Sequence, residues 1–274
     1  MDIDLETILV AGKKPSRLEN STPWIGHIPF AFFITKVIKP KIIVELGTHM
    51  GNSFCSFVQA VDELSLNTKC FAIDTWVGDP HAGYYGESVY LDLHNYIKAN
   101  YGDNVKMIRK TFDEAVVNFE NDTIDILHID GLHTYEAVKH DFETWKNKIS
   151  ENGIVLFHDI NVFADGFGVH RFWNEIKTDY PNIEFKHSNG LGILAYGKKA
   201  KIELIQFFEK FNSDPDYVRL FEMFGENVNN LHSLKFLNVK FQSEVDNIKS
   251  SWRYRIGSYV LTPFSFIKKI IKNF

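Results

Sequence analysis

Ile42-Ile43-Val44-Glu45-Leu46-Gly47-Thr48-His49-Met50-Gly51-Asn52-Ser53 is the stretch that decides the fold. Its apolar opening, with Leu46 just beyond, predicts a buried parallel strand that breaks at Gly47. After Gly51, the residues Phe54, Phe57, Val58, Val61 and Leu64 recur at helical spacing and predict a helix with one apolar stripe. Strand, glycine turn and helix in this order open a doubly wound α/β sheet, whose ligands bind at the carboxyl end of the strand.

The same alternation continues outward. Phe71-Ala72-Ile73-Asp74 predicts a second strand, and the segments 105–108, 124–130 and 153–157 predict three more. Ile183 to Lys186 and Leu191 to Tyr196 predict a closing antiparallel pair. Helices are expected from about Pro29 to before Pro40 and over 88–100, 112–119, 135–145 and 169–176. The third of the last four is striped by Tyr135, Val138, Phe142 and Trp145. The expected class is therefore α/β, a Rossmann-like doubly wound sheet with a helical C-terminal extension. Residues 1–200 form its domain, with a helical lead-in, followed by a helical or coiled-coil extension over 201–252 and a basic amphipathic tail over 253–274.

The glycine turn narrows the ligand. A dinucleotide fingerprint needs G-x-G-x-x-G, whereas this chain has only Gly47 and Gly51, and the Glu45 carboxylate would repel phosphate. An acid among small residues suits a ligand with an amine and a neutral adenosine, which describes S-adenosylmethionine (SAM). Glu45, Gly47, Thr48, Gly51 and Ser53 are thus candidate cofactor residues, joined by Asp74, Thr75 and Trp76 after the second strand. Asp74 is placed to accept hydrogen bonds from ribose hydroxyls. The alternative is an ordinary strand–helix turn of an unrelated α/β protein.

Two further strand ends carry charge. The fourth strand leads into Asp130-Gly131-Leu132-His133, and the fifth into His158-Asp159-Ile160-Asn161. Asp130 and Asp159, with His158 or Asn161, form a candidate site for one divalent cation; oxygen ligands suit Mg²⁺, and a histidine shifts the choice toward Mn²⁺ or iron. Such a cation would lower the pKa of a substrate hydroxyl, and His133 is the candidate general base. Taken singly, each has a structural reading: Asp130-Gly131 as a turn, His133-Thr134 as a helix start, Asp159 to Asn161 as a polar loop. The segment Val77 to Gly86 holds three glycines, a proline and two tyrosines, so it is a lid or a surface loop, with His81 inside it. His128, mid-strand, is expected as a core residue, and His170 either borders the acceptor pocket or begins a helix.

Composition excludes several classes. The net charge of −5 divides into +5 after residue 250 (Arg253, Arg255, Lys268, Lys269, Lys272) and −10 before it. A body this acidic argues against a nucleic-acid partner. The acidic start Met1 to Glu6 is unlike a secretory signal, and no apolar run approaches the ~18 residues of a membrane span, so a cytoplasmic location is expected. Cys55 and Cys70 are expected as reduced core residues. Leu231, Leu234, Asn238, Phe241, Val245, Ile248 and Trp252 alternate at spacings of three and four, either a coiled-coil seam of a homo-oligomer or a helix packed on its own domain. The basic, aromatic tail suits peripheral contact with an anionic membrane, with a solvated tail as the alternative.

With these residues in place, the chain over about 22–198 resembles the class I SAM-dependent methyltransferases, whose sheet has seven strands. It resembles most closely a group found with bacterial polysaccharide genes. The resemblance rests on Val44-Glu45-Leu46-Gly47, Asp74-Thr75-Trp76, His128 to Tyr135 and Leu156 to Ile160. Asp130-x-x-His133 is similar to the arrangement in metal-dependent macrolide-sugar O-methyltransferases, which implies Asp130 as metal ligand and His133 as base. Paired acids follow the fifth strand in that family; here the pair is His158-Asp159, so the implied metal set is Asp130, His158 and Asp159. The implied function is O-methylation of a sugar hydroxyl of a surface polysaccharide or its precursor. A small phenolic or antibiotic-precursor acceptor, or a non-catalytic SAM-binding scaffold, is the rival reading.

Overall fold

A computed structural model describes residues 5–20 and 22–251. Its large sheet has seven strands: β1 (Ile42–Leu46), β2 (Lys69–Asp74), β5 (Val105–Arg109), β6 (Ile124–Ile129), β7 (Ile149–His158), β8 (Asn182–Phe185) and β9 (Leu191–Ala195). They lie in the order β5-β2-β1-β6-β7-β9-β8. The first five are parallel, and β9 runs antiparallel between β7 and β8. This is the class I methyltransferase arrangement, and the chain order reverses between β1 and β6, where the crevice of a doubly wound sheet opens. The segment expected as a lid or loop is a two-rung hairpin, β3 (Gly78–Asp79) with β4 (Gly83–Tyr84).

Helices cover both faces. α2 (Ile28–Ile38), α3 (Asn52–Glu63) and α4 (Glu87–Asn100) contribute to one core, while α6 (Tyr135–Trp145) and α7 (Val169–Ile176) contribute to the other. The helix expected over 112–119 is shorter, α5 (Phe112–Ala115) with a 3₁₀ turn to Asn118. Its start is fixed by a Thr111–Glu114 capping box. The remaining helices are the short α1 (Leu5–Leu9), α8 (Ile202–Ser213) and α9 (Pro215–Ser250).

The chain divides into compact units at Asn229 and Asn230, so the boundary expected at residue 200 falls inside the first. The phenylalanines explain this. Phe207, Phe208 and Phe211 of α8 and Phe221 of α9 are buried in the same core as Phe30 and Phe33 of α2 and Phe185 of β8. Ring centroids lie 4.7 Å apart for Phe33–Phe207, 4.9 Å for Phe185–Phe211 and 5.1 Å for Phe33–Phe221. Aromatic pairs at such separations add to the area they bury, so α8 and the start of α9 cover a sheet face that would otherwise be wet. In the second unit, Asn230 to Ser250 is helix with most of its apolar residues exposed. The last seam residue, Trp252, and the basic tail lie outside the described residues. No helix among the described residues is long and apolar enough to cross a membrane.

Candidate active site

The ends of β2, β1, β6 and β7, neighbours in the sheet, border one cleft of about 540 Å³. Gly47 has φ +87, and a Cβ there would meet the carbonyl oxygen of Asp130 at 2.0 Å. The glycine is therefore needed twice over, for a left-handed backbone and for the close approach of two strand ends. Three non-glycine residues just past strand ends are also left-handed: His49 (φ +49), Trp76 (φ +52) and Asp159 (φ +62). Backbone strain of this kind, concentrated where strands open into a cleft, is characteristic of functional sites.

The expected cofactor residues separate into two groups. Gly47, Thr48, Gly51, Ser53, Asp74 and Thr75 line the cleft, whereas Glu45 and Trp76 do not. Asp74 ties the glycine turn down: Oδ2 accepts from the Thr48 and His49 amides at 3.0 and 2.9 Å, and Oδ1 from the Trp76 amide at 2.7 Å. Trp76 is buried beneath the turn, its indole N–H donating to the His49 carbonyl at 3.0 Å.

Glu45 lies beneath the cleft. The Trp24 indole N–H donates to His128 Nε2 at 3.1 Å, so His128 Nδ1 carries the proton and donates to Glu45 Oε2 at 2.8 Å. All three side chains are buried, and burial holds the Glu45 carboxyl above its ordinary value against the pull of His128. The charge read from the sequence as a ligand contact thus belongs to a buried polar triad joining the lead-in segment, β1 and β6. His128 is a core residue, as expected.

Asp130, His133 and Asp159 converge on the other half of the cleft. His133 Nε2 is 2.8 Å from Asp159 Oδ2 and 3.5 Å from Asp130 Oδ1. Candidate ligand atoms of the three residues all lie within 4.8 Å of one another. His158, expected as a ligand, takes another role. Its Nε2 donates to the Ser188 carbonyl at 3.1 Å, and its Nδ1 faces Asp130 Oδ1 at 3.2 Å. Both partners accept, so with no cation bound both ring nitrogens carry protons. By position the group that could hold a metal ion is Asp130, His133 and Asp159, with His158 hydrogen-bonded behind the carboxylates. The donor set fits a divalent ion, and Asp159 Oδ1 is buried without a hydrogen-bond partner.

The charges reinforce one another. Burial alone would raise the Asp130 carboxyl, but His158 and His133 override it and hold Asp130 well below the usual carboxylate range. Burial would lower both histidines, yet the carboxylates push His133 up to about 10 and His158 to about 9.

Several lining residues carried little signal in the sequence. Phe167, between two glycines, stacks on His133 at 5.0 Å and on His81 at 4.6 Å. The β3–β4 hairpin, which carries His81, thereby meets the candidate site. Tyr85 stacks on His49 at 4.6 Å. Ser188, Asn189 and Gly190 have φ of +49, +69 and +91. This turn aims the Ser188 carbonyl at both His158 and His27 Nε2. Ser-Asn-Gly between two strands is a recognisable turn signal, but its reach into the cleft is a tertiary fact. His170, left open between pocket and helix start, lies in the first turn of α7 beside Phe163 and does not line the cleft.

Residues 44–160 match the Methyltransf_24 family model, described as a methyltransferase domain. An uncharacterized protein, y4gI, of Sinorhizobium fredii is 41% identical over 198 residues, covering 72% of this chain and 22% of its own length. An uncharacterized protein, R132, of Acanthamoeba polyphaga mimivirus is 31% identical over 121 residues, covering 42% of this chain and 50% of its own. The chain thus spans half or less of the curated relatives it matches. Among solved structures, the SAH-bound Podospora anserina methyltransferase PaMTH1 overlays with a TM-score of 0.49 at 15% identity, covering 70% of this chain and 88% of that one. The SAM complex of the O-methyltransferase TomG from Streptomyces achromogenes gives a TM-score of 0.48 at 13% identity, covering 71% and 92%.

The role of Asp74 gives a direct expectation. Asp74→Ala leaves the Thr48, His49 and Trp76 amides without their acceptor, at a cost of about 1–3 kcal/mol for each donor that stays buried. Calorimetric titration should detect no SAM binding to the variant; wild-type affinity would remove Asp74 from the cofactor site.

Proposed function

We propose that the protein transfers a methyl group from SAM to a hydroxyl oxygen, and that the acceptor is a sugar of a surface polysaccharide or its precursor. The observation that carries the reading is the meeting of Asp130, His133 and Asp159 across the cleft from the Gly47 turn. SAM, when bound, supplies a methyl already activated as a sulfonium, so the chain's task is alignment and proton removal. Gly47, Thr48, Asp74 and Thr75 shape the cofactor half, and Phe112 offers an aromatic face beside it. The rings of His81 and His133 stacked on Phe167 present an aromatic wall that suits the C–H face of a sugar. Asp130 and Asp159 are the carboxylates that would hold a divalent cation, which when bound would lower the pKa of an acceptor hydroxyl and leave His133 to take its proton.

His133 is the proposed base, and the carboxylates set its terms. Clasped by Asp130 and Asp159 it is an imidazolium at neutral pH, and only its neutral form accepts a proton. With chelator present, kcat/KM is therefore expected to rise with pH toward about 10, the value to which His133 is pushed. Stability runs the other way. Both imidazoles titrate above their ordinary value near 6.5, so their stabilising effect is complete below that pH and is lost as pH rises through about 9 and 10. The melting temperature should fall across that interval; a flat profile, with a flat rate profile, would discard the imidazolium assignment.

The function itself is tested by incubating the protein with SAM and nucleotide- or lipid-linked sugars, with added Mg²⁺ or Mn²⁺ and again with chelator. A product heavier by one methylene supports the reading. Methylation of phenols but of no sugar would reassign the acceptor. SAM binding without transfer to any acceptor would favour a non-catalytic scaffold.

A further inference from the structure

The second unit, taken by itself, presents a long helix with an unpartnered apolar face. Leu231, Leu234, Phe241, Val245 and Ile248 lie on one seam of α9 and are all exposed. With Leu231 as an a position, the a series is Leu231, Asn238, Val245 and the d series is Leu234, Phe241, Ile248. Exposure at Leu234, Phe241 and Ile248 is 57%, 54% and 60%, far more apolar surface than a helix leaves wet without a partner.

We propose that this seam pairs with the seam of a second copy of the chain, as a parallel two-stranded coiled coil over about residues 231–248. Two features select that occupant. The first is Asn238, the one polar residue among the six seam positions. In a parallel pair its layer contains only its own counterpart, and two facing carboxamides hydrogen-bond to each other. In an antiparallel pair a positions face d positions, and Asn238 would be set against an apolar side chain. A foreign apolar partner would also have to supply a matching polar residue at that one layer.

The second feature is charge. Glu244 occupies a g position and Lys249 the following e position, five residues on, which is the spacing of cross-strand ion pairs in a parallel dimer. Two-fold symmetry makes that contact twice. In an antiparallel pair with the same overlap e faces e, so Lys249 would meet Lys235 of the other copy. Polar layer and charges therefore agree on one partner, one orientation and one register. The inference is independent of the chemistry assigned to the cleft.

Light scattering of the full chain at high micromolar concentration tests it. A mass of two chains is expected, and Val245→Asp, which sets two carboxylates face to face, should weaken association at least tenfold. Glu244→Lys should weaken it and Glu244→Lys with Lys249→Glu should restore it. Asn238→Cys should form an interchain disulfide on mild oxidation, because facing a positions approach within bonding reach while Cys55 and Cys70 are buried. A monomeric wild type, a dimer untouched by Val245→Asp, a mass of three or four chains, or no disulfide from Asn238→Cys would each overturn the proposal. Because the substituted residues are exposed, SAM binding by the variants serves as the check that the fold is kept.

Discussion

Gly47→Ala is expected to abolish SAM binding and to lower stability by at least about 3 kcal/mol, in the range of strain and overpacking at a rigid site. The added methyl group has nowhere to go. It would lie 2.0 Å from the Asp130 carbonyl oxygen, which is backbone and cannot rotate aside. The Gly47 amide also donates to the Ile73 carbonyl at 2.9 Å, and the Asp130 amide to the Leu46 carbonyl at 2.8 Å. Relieving the clash therefore parts β1 from its neighbours where the cofactor half meets the acidic half. Thermal unfolding and calorimetric titration read the two effects separately. A variant that melts and binds like the wild type would mean that this approach of strand ends is not a working feature of the cleft.

Asp130→Ala and His133→Ala are expected to reduce methyl transfer by about 10²–10⁴-fold, the usual contribution of a positioned acid or base. SAM affinity should stay within a few-fold of wild type, since the Gly47 turn and Asp74 are untouched. Asp130→Ala also leaves the His158 imidazolium facing Asp159 Oδ1 at 3.4 Å as its remaining carboxylate partner. That variant should therefore lose some stability at neutral pH, whereas Asp130→Asn should keep the shape and still lose transfer. Full turnover in both alanine variants would defeat the assignment of the acidic half as the reacting centre.

The centre of the sheet was legible because β1, β2, β6 and the end of β7 are apolar runs ended by glycine or acid, a pattern that local sequence carries without help. The convergence of Asp130, His133 and Asp159 was legible for the same reason: residues at the carboxyl ends of adjacent parallel strands must meet. What local sequence does not carry is the direction of a side chain at a strand end. Glu45 sits one residue before Leu46, and the alternation of a strand turned it away from the cleft, toward His128 and Trp24. His158 precedes Asp159 and is turned back toward Ser188, more than two dozen residues along the chain. Its Nε2 is taken up by a hydrogen bond to the Ser188 carbonyl, which no spacing rule records. The left-handed residues at 49, 76 and 159 are equally silent in sequence, because no glycine marks them.

The burial of Phe207, Phe211 and Phe221 against α2 and β8 bears on how this protein can be cut and recombined. The family match ends at residue 160, yet the surface left by a break there would be a sheet stripped of its antiparallel edge and of the aromatic layer over it. A fragment ending near 200 keeps every cleft residue and still exposes that layer, so it should collect in inclusion bodies. One ending just past Asn229 carries its own seal. Chimaeras that exchange acceptor preference between relatives would accordingly succeed only if the phenylalanine helices travel with the sheet they cover.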